Sequence, residues 1–230
     1  MLFNLLQAAE NAAAVPAEAI SQENFSLIVM ATKGGWLMLV LLLLSVMAIY
    51  IFGNKWWLIR RAGKIDKNFM KDIRDLIHEG KIKSALALCQ KYDSPVARLV
   101  EKGIERIGRP LPDIQAAVEN MGNVEVARLE KGLPMLATIA GGAPMIGFLG
   151  TVSGMIKAFF NMYIAGSNID ITQLSGGIYE AMVTTVGGLF VGIIAYFGYN
   201  YLTSQISNLV FKMERTTIEF IDMLHEPAGR

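Results

Sequence analysis

The chain is short of charge where charge would keep a segment in water. Across residues 34–54 and 133–203 together it has one basic residue, Lys157, and two acidic ones, Asp170 and Glu180. Overall, 18% of its 230 residues are charged and 53% apolar, which excludes an ordinary soluble domain. A single cysteine, Cys89, excludes an intramolecular disulfide and any multi-cysteine metal site, and reads as a small buried apolar residue. The two histidines, His78 and His225, are not at metal-ligand spacing and read as solvated surface residues. Without a Gly-rich phosphate loop or a nucleophile motif, no enzyme and no cofactor or metal is expected. No segment is basic enough to make nucleic acid a partner.

What is present alternates between apolar runs and charged stretches. Basic and acidic residues number 1 and 3 in residues 1–33, 16 and 11 in 55–132, and 3 and 4 in 204–230. This is the pattern of a polytopic membrane protein, so the expected fold class is all-α with three membrane spans. The first span, 34–54, contains twenty uncharged residues from Gly34 to Gly53, about 30 Å of helix. It is too long, and too far from Met1, for a cleaved signal peptide. Trp56, Trp57, Lys55, Arg60, Arg61 and Lys64 follow it, whereas only Lys33 precedes it. The positive-inside rule therefore puts residues 1–33 outside and residue 55 onward in the cytoplasm. The second span is 133–165 and the third 176–203, joined by a loop over 166–175 without Lys or Arg, which suits the outer side. A re-entrant second region is the alternative, and it would leave the tail outside.

The cytoplasmic stretch 55–132 has helical periodicity. Ile65, Phe69, Ile73, Leu76 and Ile77 form one stripe ending at Gly80. Ile82, Leu86 and Cys89 form a second that stops near Ser94-Pro95, and Val96, Leu99, Val100, Ile104 and Ile107 a third, broken by Gly108, Pro110 and Pro112. Asp113 is expected to cap a helix that runs past Lys131 without interruption until Pro134 or Pro144. The tail, 204–230, carries Ile206, Val210, Met213, Thr217, Phe220 and Leu224 at heptad-like spacing. These stripes are expected to pack on one another as a cytoplasmic helical bundle continuous with the spans.

Glu180 is the residue that carries most information. An acidic residue at a membrane helix centre costs about 2.5–3.5 kcal/mol on insertion scales, and such residues usually face a bundle interior or a watery cavity. A span beginning at Gly176 puts it only about 6 Å in, where an interfacial, snorkelling Glu is the alternative. Its helical face continues through Thr184, Gly187 and Gly188, and the second span has a matching small-residue face in Gly147, Gly150, Thr151 and Gly154. Such faces let membrane helices approach closely, so the glycines read as packing residues. Thr151 could instead bond a carbonyl of its own helix. Lys157 reads as a snorkelling anchor or as a salt-bridge partner, for instance of Asp170.

These residues resemble the ExbB/TolQ/MotA family of proton-channel proteins, and ExbB most. The resemblance is carried by GFLGTVSGM at 147–155, GGIYEAMVTTVGGLFVGIIAYFGYN at 176–200 and SPVARLVEKGIE at 94–105. It implies a multi-pass protein of the bacterial inner membrane, assembled as a homopentamer around the single-span helices of an ExbD- or TolR-like dimer. It also implies that proton flow is used to energise TonB-dependent transport, with a TonB-like protein as a further partner beside the membrane lipids. Carried over residue by residue, it places the proton path on Thr151, Glu180 and Thr185. Thr184 is a weaker candidate, closer to Glu180 around the helix but at a position where the family usually has a small residue. Lys157 departs from the family pattern. A TolQ-like role in a Tol-Pal envelope system, or a passive membrane scaffold, remain alternatives.

Overall fold

The computed structural model describes residues 35–63, 66, 68–166 and 171–225. The segment 1–33, Ile65, Asp170 and Arg230 lie outside the described residues, and so do the expectations placed on them. Among the described residues every regular element is an α-helix: α1 Gly35–Ala62, α2 Phe69–His78, α3 Ile82–Lys91, α4 Pro95–Ile104, α5 Leu111–Glu130, α6 Leu133–Ala165 and α7 Ile171–His225. Helices α1, α6 and α7 are each long and apolar enough to cross a membrane. Their outward faces are apolar, with Leu43 of α1, Phe148 of α6 and Phe190 of α7 each at least 60% exposed. In water such a surface would be untenable, so it belongs against lipid or other helices.

The four shorter helices pack below the spans, α2, α4 and α5 on the far half of α7 and α3 on α2 and α4. Their ends follow local chemistry. Helix α2 closes in a Schellman motif: Gly80, at φ +69°, donates its N–H to the Ile77 carbonyl at 2.9 Å, and Lys81 donates to Leu76 at 2.9 Å. Helix α4 opens with Ser94, whose hydroxyl accepts the Ala97 N–H at 3.2 Å, followed by Pro95 in the first turn. The core gathers Phe69 and Ile73 of α2, Ala85 and Cys89 of α3, Leu99 and Val100 of α4, Val118 of α5, and Leu202 and Phe220 of α7. Phe69 meets the Tyr92 ring edge-on at 5.3 Å. Gly103 makes room for Phe220, since a Cβ there would fall on the ring.

Three expectations differ in detail. Asp113 lies inside the first turn of α5, and Pro110 occupies the cap position. The helix does not run through Lys131. Lys131 turns out at ψ 119°, Gly132 takes φ +94°, and α6 starts afresh at Leu133. The break is stabilised from α1, where Lys55 donates to the Arg128 and Leu129 carbonyls at 3.1 and 3.2 Å. Pro144, by contrast, stays within α6, its ring lodged against Gly192 of α7. In the tail the buried stripe is Leu202, Ile206, Leu209, Met213, Phe220 and Met223; Val210, Thr217 and Leu224 are only half-buried.

A chain of ion pairs joins the foot of α1 to α5. Arg61 reaches Asp93 at 3.1 Å, Arg98 reaches Asp93 at 2.9 Å, and Arg98 holds Glu125 in a two-pronged contact at 2.9 and 2.7 Å. Glu125 is 1% exposed and also accepts from Arg128 at 3.3 Å. The hydrogen bonds from Arg98 to Glu125, ahead of the charges of Glu125 and Asp93, raise the Arg98 pKa despite its partial burial.

Removing one partner of a buried pair strands the other. Arg98→Ala should lower stability by about 3 kcal/mol, and replacing both Arg98 and Glu125 with leucine should recover part of that loss. Thermal unfolding in detergent measures both; a double variant no more stable than Arg98→Ala refutes the argument. Burial, with a smaller contribution from Glu101, pushes the Cys89 thiol up to about 12. Cys89 should therefore resist maleimide at pH 8 until the protein is unfolded, as labelling followed by mass spectrometry would reveal.

Candidate functional site

Helix α7 uses two adjacent faces. The face bearing Glu180 and Gly187 turns toward α1: a Cβ at Gly187 would lie 3.0 Å from Met38 Sδ, and one at Gly35 only 2.5 Å from Glu180 Oε1. The Glu180 carboxylate therefore rests against the start of α1, where Gly35 has φ +68°. The other face, about 40–140° around the helix, turns toward α6 and carries Gly177, Ala181, Thr184, Thr185 and Gly188.

The α6–α7 contact is close because side chains are missing from it. A Cβ on Gly188 would lie 2.6 Å from the Ala143 carbonyl oxygen and 2.8 Å from Gly147 Cα. One on Gly147 would lie 3.1 Å from the Thr184 carbonyl oxygen, one on Gly150 2.5 Å from Thr184 Cγ2, and one on Gly154 2.7 Å from Ala181 Cβ. Such spacing lets the Thr185 hydroxyl cross between helices and donate to the Gly147 carbonyl at 2.8 Å. Thr184, 2% exposed, donates to its own helix at the Glu180 carbonyl, 2.9 Å away. Thr151 likewise donates within α6, to Phe148 at 2.7 Å.

Three of the four polar positions singled out in the sequence thus lie on two seams, while Thr151 bonds only within α6. Thr184 and Thr185 stand in the α6–α7 seam, Glu180 in the α1–α7 seam, and no hydrogen bond among the described residues joins Glu180 to Thr151 or Thr185. The grouping of Glu180, Thr184, Gly187 and Gly188 on one face divides accordingly. Glu180 is also deeper in its helix than the apolar run implied. Helix α7 begins at Ile171, so Glu180 is nine residues in, about 14 Å of rise, and residues 171–175, expected in the loop, are helical. Lys157 is exposed on α6. Gly35 was not singled out as a neighbour of Glu180. Its only trace in the sequence is the Gly34-Gly35 pair at the start of the first apolar run. Among the described residues no cluster of His, Cys, Asp and Glu could hold a metal ion.

This geometry defines a multi-pass helical membrane protein with hydroxyl and carboxyl groups placed in the seams between its spans. The chain belongs to the MotA/TolQ/ExbB proton channel family, whose model matches residues 91–215, more than half of its length. It is 32% identical over 175 residues to an ExbB-like biopolymer transport protein of Synechocystis sp., covering 75% of this chain and 68% of that one. It is 31% identical over 142 residues to an ExbB homologue of Methanothermobacter thermautotrophicus (62% and 50% of the two chains). To the Tol-Pal system protein TolQ of Haemophilus influenzae it is 36% identical over 107 residues, 46% of each chain. The chain thus spans about two thirds of the first of these relatives and about half of the other two.

Two glycine substitutions separate packing from helix propensity. Gly188→Ala puts a methyl against α6 backbone that cannot swing aside and should cost about 1–3 kcal/mol. Gly141→Ala meets nothing within 4 Å and should be neutral or stabilising by up to about 1 kcal/mol. Comparing the melting temperatures of the two proteins tests this; equal shifts would contradict the contact.

Proposed function

We propose that the chain is the proton-channel subunit of an inner-membrane motor of the ExbB kind. In this reading copies of the chain form a ring, a pentamer, around the membrane helices of an ExbD- or TolR-like dimer. Protons moving down their gradient drive a conformational step that a TonB-like protein passes to the outer membrane. The observation that carries the proposal is Glu180: an ionisable group half-buried in an apolar helix, at a helix–helix seam, in a member of a proton-channel family.

Each group has a definite part. The Glu180 carboxylate takes and releases the proton. Thr185 and Thr184 offer hydroxyls on the adjoining face of α7, and Thr151 offers one on α6. Rotating a hydroxyl away from its present carbonyl frees it to pass hydrogen bonds along, at a cost of about one hydrogen bond each. One proton crossing 100 mV releases about 2.3 kcal/mol, so a few protons suffice for a step that breaks and remakes such bonds. No covalent chemistry is involved. The orientation that accompanies this reading has the amino terminus in the periplasm and the foot of α7 in the cytoplasm, supported by Lys55, Arg60 and Arg61 just beyond the first apolar run.

Glu180→Gln keeps the shape and removes the titrating group. In vesicles holding this chain and its single-span partner, the variant should reduce gradient-driven proton uptake to that of empty vesicles while the complex still assembles. Undiminished uptake leaves the passive-scaffold reading, in which the polar groups only seat partner helices. The relative named TolQ keeps a second role open. Loss of iron-siderophore uptake on deletion marks the ExbB role, and detergent sensitivity with division defects marks the TolQ role.

A further inference from the structure

Below the membrane, α7 carries opposite charge on its two flanks. At about 100° per residue, Lys212, Arg215, Thr216 and Glu219 point to one side, and Val210, Glu214, Thr217 and Ile221 to the opposite side, with Met213 and Phe220 between them turned into the core. Each flank opens into a groove. On the first side Lys71 and Arg74 of α2 join Lys212 and Arg215, with Asp66 and Glu219 as the acidic members. On the second, Glu119 of α5 joins Glu214 and Asp222 over an apolar floor that includes Val126, Val210 and Ile221; no Lys or Arg lines it. All the charged groups named are exposed, and none of the four basic side chains, nor Glu214 or Asp222, forms an ion pair among the described residues.

We infer that these flanks are the two halves of a head-to-tail contact between copies of this chain, the basic flank of one seated on the acidic groove of the next. This rests on the ring assembly proposed above and names the surfaces that close it. Copies in one membrane share one orientation and are related by an axis along the membrane normal, so every residue keeps its depth. A rotation can therefore pair only charges at similar heights. Lys212 and Arg215 satisfy that condition with Glu214, lying about 3 Å and 1.5 Å from it along the helix axis. A heterologous contact needs two different, complementary surfaces on one subunit, and opposite flanks of one straight helix supply them. The apolar floor of the acidic groove gives the contact burial that a rim of exposed charges lacks.

The test uses the full chain with its single-span partner, sized by native mass spectrometry in detergent. Lys212→Glu with Arg215→Glu should convert the ring to smaller species, as should Glu214→Lys. All three changes on one chain exchange the flanks and should restore the ring. A wild-type ring in either half-variant overturns the inference. A separate measurement does not depend on charge reversal being tolerated. Lys212→Cys and Glu214→Cys, on one chain, project from opposite sides of α7 and cannot pair within a copy, and Cys89 is buried. Mild oxidation should give a ladder of linked copies from the double variant and none from either single variant. No ladder from a protein that is still a ring overturns this contact and leaves the ring standing; a wild-type protein that is not a ring overturns both.

Discussion

The close approach of α6 and α7 is the constraint on which the rest of the membrane region depends. Lipid tails are as apolar as leucine, so no hydrophobic force presses two spans together; contact must come from packing and from polar groups that find each other across the gap. Gly147, Gly150, Gly154 and Gly188 leave backbone to meet backbone, and that proximity puts the Gly147 carbonyl within reach of Thr185. Once α7 is fixed against α6, its rotation is no longer free. The neighbouring face, with Glu180 and Gly187, must then meet α1. A glycine set that reads as packing alone is therefore what aims the carboxylate.

The half of the chain beyond the spans is held differently, by burial of apolar side chains and by ions. Phe220 and Leu202 of α7 are fully buried, Phe220 against Gly103 of α4, and the Arg61–Asp93–Arg98–Glu125 series links α1, the α3–α4 turn, α4 and α5. Lys55 adds a tie from α1 to the carbonyl end of α5. The membrane span of α1 and the bundle beneath it are thus mechanically connected through its last two turns, the same turns that carry the tryptophans and arginines of the membrane border.

Much of this was legible in the sequence, for physical reasons that differ by element. The three spans follow from uncharged length, and the α2 stop and the α3–α4 boundary follow from Gly80 and Ser94-Pro95, residues with local effects that little in the tertiary structure can override; α4 ends at Ile104, before Gly108, and leaves Ile107 beyond it. The break at Lys131–Gly132 was not legible, because the side chain that stabilises it, Lys55, arrives from far away in the chain. Nor was the division of the polar residues between two seams. Helical angle gave Glu180 and Thr184 as near neighbours, 40° apart, yet at the boundary between two partner helices that angle is enough to send one toward α1 and the other toward α6. The tail stripe was displaced for a similar reason: spacing identifies a period, and only the position of the neighbours selects its phase.

Helix α7 runs from Ile171 to His225 as one element, 55 residues without a joint. From Glu180 to Phe220 is about 60 Å along its axis. An unbroken helix of that length ties the angle of the carboxylate at one end to the angle of the aromatic ring at the other, so the α6 glycines and the socket around Phe220 must agree in phase across the whole distance.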